Sequence, residues 1–315
     1  MGPTRPPTVR YVSRRRMSYC STCRPRRSLR FCHERYNSYN NSPRNAGTAR
    51  HALSVQLARA RLPRSPQGGA LLGSAVCRIL PQAAQAILTV GNSSFRLDLR
   101  HPSEFAFCMS GHEEHECRFV RDNLTPGAVF FDIGANFGLF SAWAAEAVGP
   151  SGRCIAVEPN TKTFKHLVRF LSGAANVSCI NAAASDKSGG LVVVGVPWWR
   201  VDTGGYIGRS TAGLPVPTIT VDELWESLGR PNVSIMKIDT EGFEPLVLHG
   251  AKRTLESTAF VLLEASEWCM SRCGKPLSLI HDTMEGAGFT ATSPETGRPL
   301  GGRAANVNIA FTRIR

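Results

Sequence analysis

The chain has 315 residues, 42% of them apolar, enough to bury a core in one large domain or two small ones. Its formal charge of +13 suits a nucleic-acid binder only until it is mapped: residues 1–66 hold 15 Arg, no Lys and one acid, and the remainder nets −1. A polyanion-binding body is therefore disfavoured, and a membrane span is not expected, because the most apolar stretch (70–90) is broken by Arg78, Pro81, Gln82 and Gln85.

The first segment, with RRR at 14–16 and RPRR at 24–27 among Ser, Asn and Pro, cannot bury enough apolar surface to fold alone. Residues 1–66 are expected to be a disordered tail. An Arg-rich, acid-poor start also describes a chloroplast or mitochondrial transit peptide, and a basic arm or plain disorder in a cytoplasmic protein are the alternatives. Cys20, Cys23 and Cys32 beside His33 have the spacing of a zinc knuckle but lack apolar support, so a chance grouping is preferred.

Next comes an extension, 67–126. Strands at 87–90 and 93–99 around Gly91-Asn92 predict a hairpin, and a short helix over 112–124 ends at Pro126-Gly127. From 127 to 315 strands and helices alternate. Strand AVFFDI leads to a helix at 138–148, CIAVEP to TKTFKHLVRFLSG, and NVSCINAAAS is a third strand. LVVVGV and TITV flank a Gly-rich loop carrying Trp198 and Trp199. Helix DELWESLG, strand VSIMKID, a helix over 243–257, strand AFVLLEA, a helix over 276–288, and strands FTATS and NVNIAFTRI complete the pattern. This predicts one α/β domain on a mainly parallel sheet, with an antiparallel C-terminal edge.

In such sheets ligands bind beyond the carboxyl ends of the strands. The turn in FDIGANFG (131–138) lacks the second and third glycines of a dinucleotide fingerprint, having Asn136 and Leu139 there, and no phosphate-loop lysine follows. An acid precedes the turn, Asp132, and another ends the next strand, Glu158. S-adenosylmethionine presents an ammonium and a ribose diol to such acceptors and a carboxylate to turn amides. A tight turn beside a solvent-facing acid is the plainer alternative.

DIGANFG, IAVEPN, NAAASD (181–186), KIDTEGFEPLVLHGA (237–251) and LLEA (262–265) together resemble the FkbM family of S-adenosylmethionine-dependent methyltransferases, in order and spacing, over roughly 85–290. KIDTEGFE is the most distinctive element. The resemblance implies a Rossmann-like class I methyltransferase sheet and methylation of hydroxyls on sugars or other small molecules. It implies cofactor contacts from Asp132, Gly134, Asn136, Gly138 and Glu158, from Glu116 upstream of the turn, and from Asp186 near the adenine. No metal site is expected. Nucleic acid is not the favoured partner, and the oligomeric state is not legible.

A sugar hydroxyl is a poor nucleophile, so a base is needed at the strand end facing the methyl. Asp239 and Glu241 are the candidates, one residue apart and able to raise one another's pKa. Lys237 shares a side of the strand with Asp239 and orients or neutralises it. Glu241 as a helix cap and Glu264 as a buried hydrogen-bonding acid are the structural alternatives; with Glu264, the pair also makes a divalent metal conceivable but not favoured. An N-methyltransferase acting on protein or nucleic acid is disfavoured by the missing DPPY signature, and a non-catalytic binder by the intact KIDTEGFE.

Overall fold

The computed structural model describes residues 85–90, 93–100, 104, 107, 113–195, 206–207, 214–305 and 307–314. The Arg-rich tail, its cysteine grouping and the Trp198-Trp199 pair lie outside these residues. The chain divides into two compact units, with the boundary between His112 and Glu113. In the unit that ends at His112, β1 (Gln85–Val90) and β2 (Ser93–Asp98) form the expected antiparallel hairpin, with Val90 opposite Ser93. Arg100 closes its end on Asp98 at 2.7 Å.

The other unit begins with α1 (Glu114–Asn123), β3 (Val129–Ile133) and α2 (Leu139–Val148). Then come β4 (Arg153–Val157), α3 (Thr161–Phe170), β5 (Val177–Ile180) and β6 (Ala183–Ala184). β7 (Leu191–Gly195), β8 (Tyr206–Ile207) and β9 (Leu214–Ile219) precede α4 (Val221–Ser227) and β10 (Val233–Ile238). The chain finishes with α5 (Glu244–His249), α6 (Lys252–Glu256), β11 (Thr258–Ala265), α7 (Glu267–Arg272), α8 (Ser278–Gly286), β12 (Phe289–Thr292) and β13 (Val307–Arg313).

Seven strands make the main sheet in the order β12-β13-β11-β10-β3-β4-β5. β11, β10, β3, β4 and β5 run parallel to their neighbours, while β13 is antiparallel to both β11 and β12. The antiparallel pair expected at the C-terminus is therefore present, with β13 one place inside and β12 outermost. Every residue of β3 is buried, as a strand covered by helices on both faces requires. Phe130, Phe131, Ile133, Ile235, Met236 and Ile238 are fully buried and pin β3 against β10. The order of connection reverses between these two strands, so their carboxyl ends open side by side at the switch point.

Three local differences from the sequence pattern have physical causes. The expected strand over 176–185 is broken into β5 and β6, because the Asn181 amide donates to the carbonyls of Glu158 and Pro159 at 2.8 and 3.1 Å and turns the chain. β6 then joins a second sheet, β6-β9-β7-β8. The helix over 243–257 breaks at Gly250, where a Cβ would lie 2.1 Å from the Ser185 carbonyl oxygen. Helix α7 was not anticipated; the Ser266 hydroxyl caps it by accepting from the Cys269 amide at 3.3 Å.

Candidate active site

The turn after β3 is shaped by backbone conformations that few residues tolerate. Gly134 has φ +83°, and a Cβ there would fall 1.8 Å from the Asp239 carbonyl oxygen, so only glycine lets the turns after β3 and β10 meet. Asn136 follows with φ +50° and Gly138 with φ +100°, where a Cβ would lie 2.7 Å from Leu167. The amides of Gly134 and Ala135 both donate to the Val157 carbonyl at 2.9 Å, locking the turn onto the end of β4.

Two carboxyl groups flank this turn. Asp132 is wholly buried; one oxygen accepts from the Ser141 hydroxyl at 2.6 Å, and Oδ1 has no hydrogen-bond partner among the described residues. Burial raises its pKa, although Lys237 and Ser141 oppose that shift. Glu158 is also buried rather than solvent-facing, and accepts from the amides of Asn136 at 2.9 Å and Asn160 at 2.8 Å. Its carboxyl is pushed up to about 7, by burial first and against those two amides.

The second turn, after β10, carries the other acids. The Lys237 ammonium is buried, donates to Asp239 Oδ2 at 2.9 Å and lies 4.6 Å from the centre of the Phe140 ring. Burial works against its charge, but Asp239, Asp132 and Glu113 outweigh that effect and raise its pKa. Glu241 takes φ +55° and accepts from the Cys269 thiol at 3.2 Å. It does not cap α5. Glu244, the first residue of α5, ties the preceding turn to the helix instead, accepting from the Thr240 amide at 2.9 Å, the Thr240 hydroxyl at 3.1 Å and the Gly242 amide at 3.1 Å.

Glu264, near the end of β11, neighbours Asp239 across the strand pair, and its carboxyl is pushed up to about 9, by Asp239's charge first and then by burial. Asp239 is thus paired with Glu264, whereas the sequence suggested Glu241. Of the upstream acids, Glu116 accepts from the Asn308 amide at 3.0 Å. Glu113, at the N-cap position of α1 with φ +72° and no side-chain cap bond, is pushed up to about 7 by burial and feels Lys237, Asp239, Glu116 and Asp132. The resemblance names Glu116 in the run His-Glu-Glu-His-Glu, and Glu113 is the acid whose charge is coupled to Lys237, Asp239 and Asp132. Asp186 stands apart: it accepts from the Ser185 hydroxyl at 3.2 Å, and its backbone packs on Gly250.

The structure thus brings Asp132, Gly134, Asn136, Gly138, Glu158, Lys237 and Asp239 to adjoining strand ends, and adds Glu113 and Glu264. Among the described residues, no group of three or more His, Cys, Asp or Glu is arranged to hold a metal ion. No helix among them is long and apolar enough to cross a membrane. A separate open hollow of about 560 Å³ lies at α7, lined by Glu267, Trp268, Ser271, Lys275, Pro276 and Leu277.

Comparison with known proteins gives this arrangement relatives. The chain is 29% identical over 154 residues to the hexuronic acid methyltransferase AglP of Haloferax volcanii, a match covering 48% of this chain and 62% of that protein. Among solved structures it is similar to a SAM-dependent O-methyltransferase of Thermotoga maritima (TM-score 0.37, 13% identity, 76% of this chain and 81% of that one). It is also similar to the fibrillarin of Aeropyrum pernix solved with natively bound S-adenosyl-L-methionine (TM-score 0.40, 11% identity, 73% and 83%). The family model for the methyltransferase FkbM domain matches residues 132–289, half of the chain, from Asp132 in β3 to the start of β12. The chain belongs to the FkbM methyltransferase family.

Proposed function

We propose that the protein transfers the methyl group of S-adenosylmethionine to a hydroxyl of a sugar or glycan. The observation that carries this reading is the excess of buried carboxyls over cations at the strand ends, including the unpartnered Asp132 Oδ1. A buried carboxylate cluster calls for a cationic, hydrogen-bonding ligand. S-adenosylmethionine supplies an electrophilic methyl and carries a sulfonium and an ammonium. Asp132 and Glu113 would hold the ammonium, Glu158 the ribose diol, and the amides of the turn over 134–138 the carboxylate. Glu116 and Asp186 would act further out, Glu116 through Asn308 and Asp186 toward the adenine.

On the acceptor side, Asp239 takes the hydroxyl proton, and Lys237 fixes its orientation through the 2.9 Å ion pair. Glu241, held by Cys269, lines the same turn. The half-exposed indole of Trp268, on the helix that holds Glu241, suits stacking against a sugar ring. The relative that methylates hexuronic acid supports a carbohydrate acceptor rather than a nucleic acid.

Incubating the full chain with methyl-labelled S-adenosylmethionine and panels of sugars, glycans, peptides and RNA, followed by mass spectrometry, tests this reading. Label on a carbohydrate oxygen is expected. Label confined to a nitrogen of protein or RNA, or to no acceptor despite cofactor binding, would refute it.

A further inference from the structure

Asp239 and Glu264 stand at the ends of adjacent parallel strands, one residue past the Ile238–Leu263 pair, and their carboxyl groups interact side chain to side chain. Two carboxyls in such contact do not both ionise unless cations compensate each of them, so one proton stays between them. The cation within reach is Lys237, and its ammonium is committed to Asp239 at 2.9 Å. Apart from Lys237 of β10, the groups that face Glu264 add no positive charge: Asp239 and Glu241 from the turn after β10, Cys269 from α7, and Asn308 from β13, whose amide is turned to Glu116.

We propose that Glu264 is a positioning residue that holds a proton against Asp239 in the resting protein and releases it to solvent when a cationic ligand enters the acid-lined strand ends. In that step the Glu264 O–H bond breaks, its electron pair stays on the carboxylate, and the proton passes to water. Asp239 loses a hydrogen-bond donor and gains an anionic neighbour, and both changes raise its basicity toward an acceptor hydroxyl. The chain would thus arm its base only when the methyl donor is present. This inference rests on the proposed use of S-adenosylmethionine.

Proton linkage measures it directly. At pH 8 Glu113 and Glu158, both near 7, have largely ionised, whereas Glu264, near 9, has not. Titration calorimetry of the full chain with S-adenosylmethionine at pH 8, in phosphate and in Tris, gives the number of protons released from the difference in heats. The native chain is expected to release close to one proton more per cofactor bound than Glu264→Gln does, because uptake by the ligand's amino group, about half neutral at this pH, is common to both. Asp239→Asn removes the charge that keeps Glu264 protonated and must abolish the same release, which covers the case of a Glu264 variant that does not fold. Binding with equal proton exchange in the native chain and the variants overturns the inference and leaves the function intact. If the native chain does not bind S-adenosylmethionine, the function fails and this inference falls with it.

Discussion

The turns after β3 and β10 lie side by side, and both carry residues at positive φ: Gly134, Asn136 and Gly138 in one, Glu241 and Gly242 in the other. They are held in different ways. The first is fastened to the next strand, by two amides on Val157 and by Glu158 at its end. The second depends on groups distant in sequence: Cys269 on Glu241, Glu264 on Asp239, and the close packing of Gly242 on Cys269 and Cys273. The difference teaches that a binding end can be fixed by its own βαβ unit, whereas the proposed chemical end is assembled by the tertiary fold.

The largest expected effect comes from breaking the contact that joins the two turns. Gly134→Ala places a methyl group against the Asp239 carbonyl in a left-handed conformation. The expected loss is about 2–4 kcal/mol of stability, read by urea unfolding, with binding and turnover falling together. An unperturbed variant would show that the two turns move independently.

The turns separate in a second pair of variants. Asp239→Asn should lower kcat by about 10²-fold or more while the cofactor Kd changes little. Glu158→Gln should weaken the cofactor by about 10-fold or more, the scale of one hydrogen bond to a charged group. Equal damage to kcat and Kd in both variants would erase the proposed division.

A pH series sharpens the comparison without mutation. Glu113 and Glu158 rise from an ordinary 4.5 to about 7 on folding, so between these values the native state binds more protons than the unfolded chain. Their contribution to stability is full below about 4.5 and is lost as the pH rises through about 7. Glu264 extends that loss toward about 9. Urea midpoints of the ligand-free chain should therefore fall from pH 5 to 9; a rising midpoint over that range would contradict the buried, protonated acids.

The smallest effect is expected at Cys269→Ala, which removes one thiol donor from Glu241. Stability should change by about 1 kcal/mol, and cofactor Kd not at all. A large rise in Kd would place Glu241 on the cofactor side.

How far the sequence could be read follows the same division. Asp132, Gly134, Asn136, Gly138 and Glu158 fall within two motifs of one βαβ unit, where spacing alone sets their relation. The Lys237–Asp239 pair was likewise legible, because residues two apart on a strand share a face. Glu264 as the partner of Asp239 depends on strand order, which places β11 beside β10 and which local pattern does not encode. Helix α7 was missed because EWCMSR is only six residues long and has no apolar period, so the hold of Cys269 on Glu241 was missed with it. Glu241 does not cap α5 because the left-handed turn at Glu241 and Gly242 points the Thr240 and Gly242 amides at Glu244 and leaves Glu241 facing Cys269.

The central claim, that the acids around the first turn form a site for a cationic sulfur nucleoside and not for a dinucleotide, is tested most directly by calorimetry on the full chain. S-adenosylmethionine and its demethylated product should bind with saturable heats, NAD should give none, and Glu158→Gln should weaken both sulfur ligands. Saturable binding of NAD, with no response to either sulfur nucleoside, would contradict it.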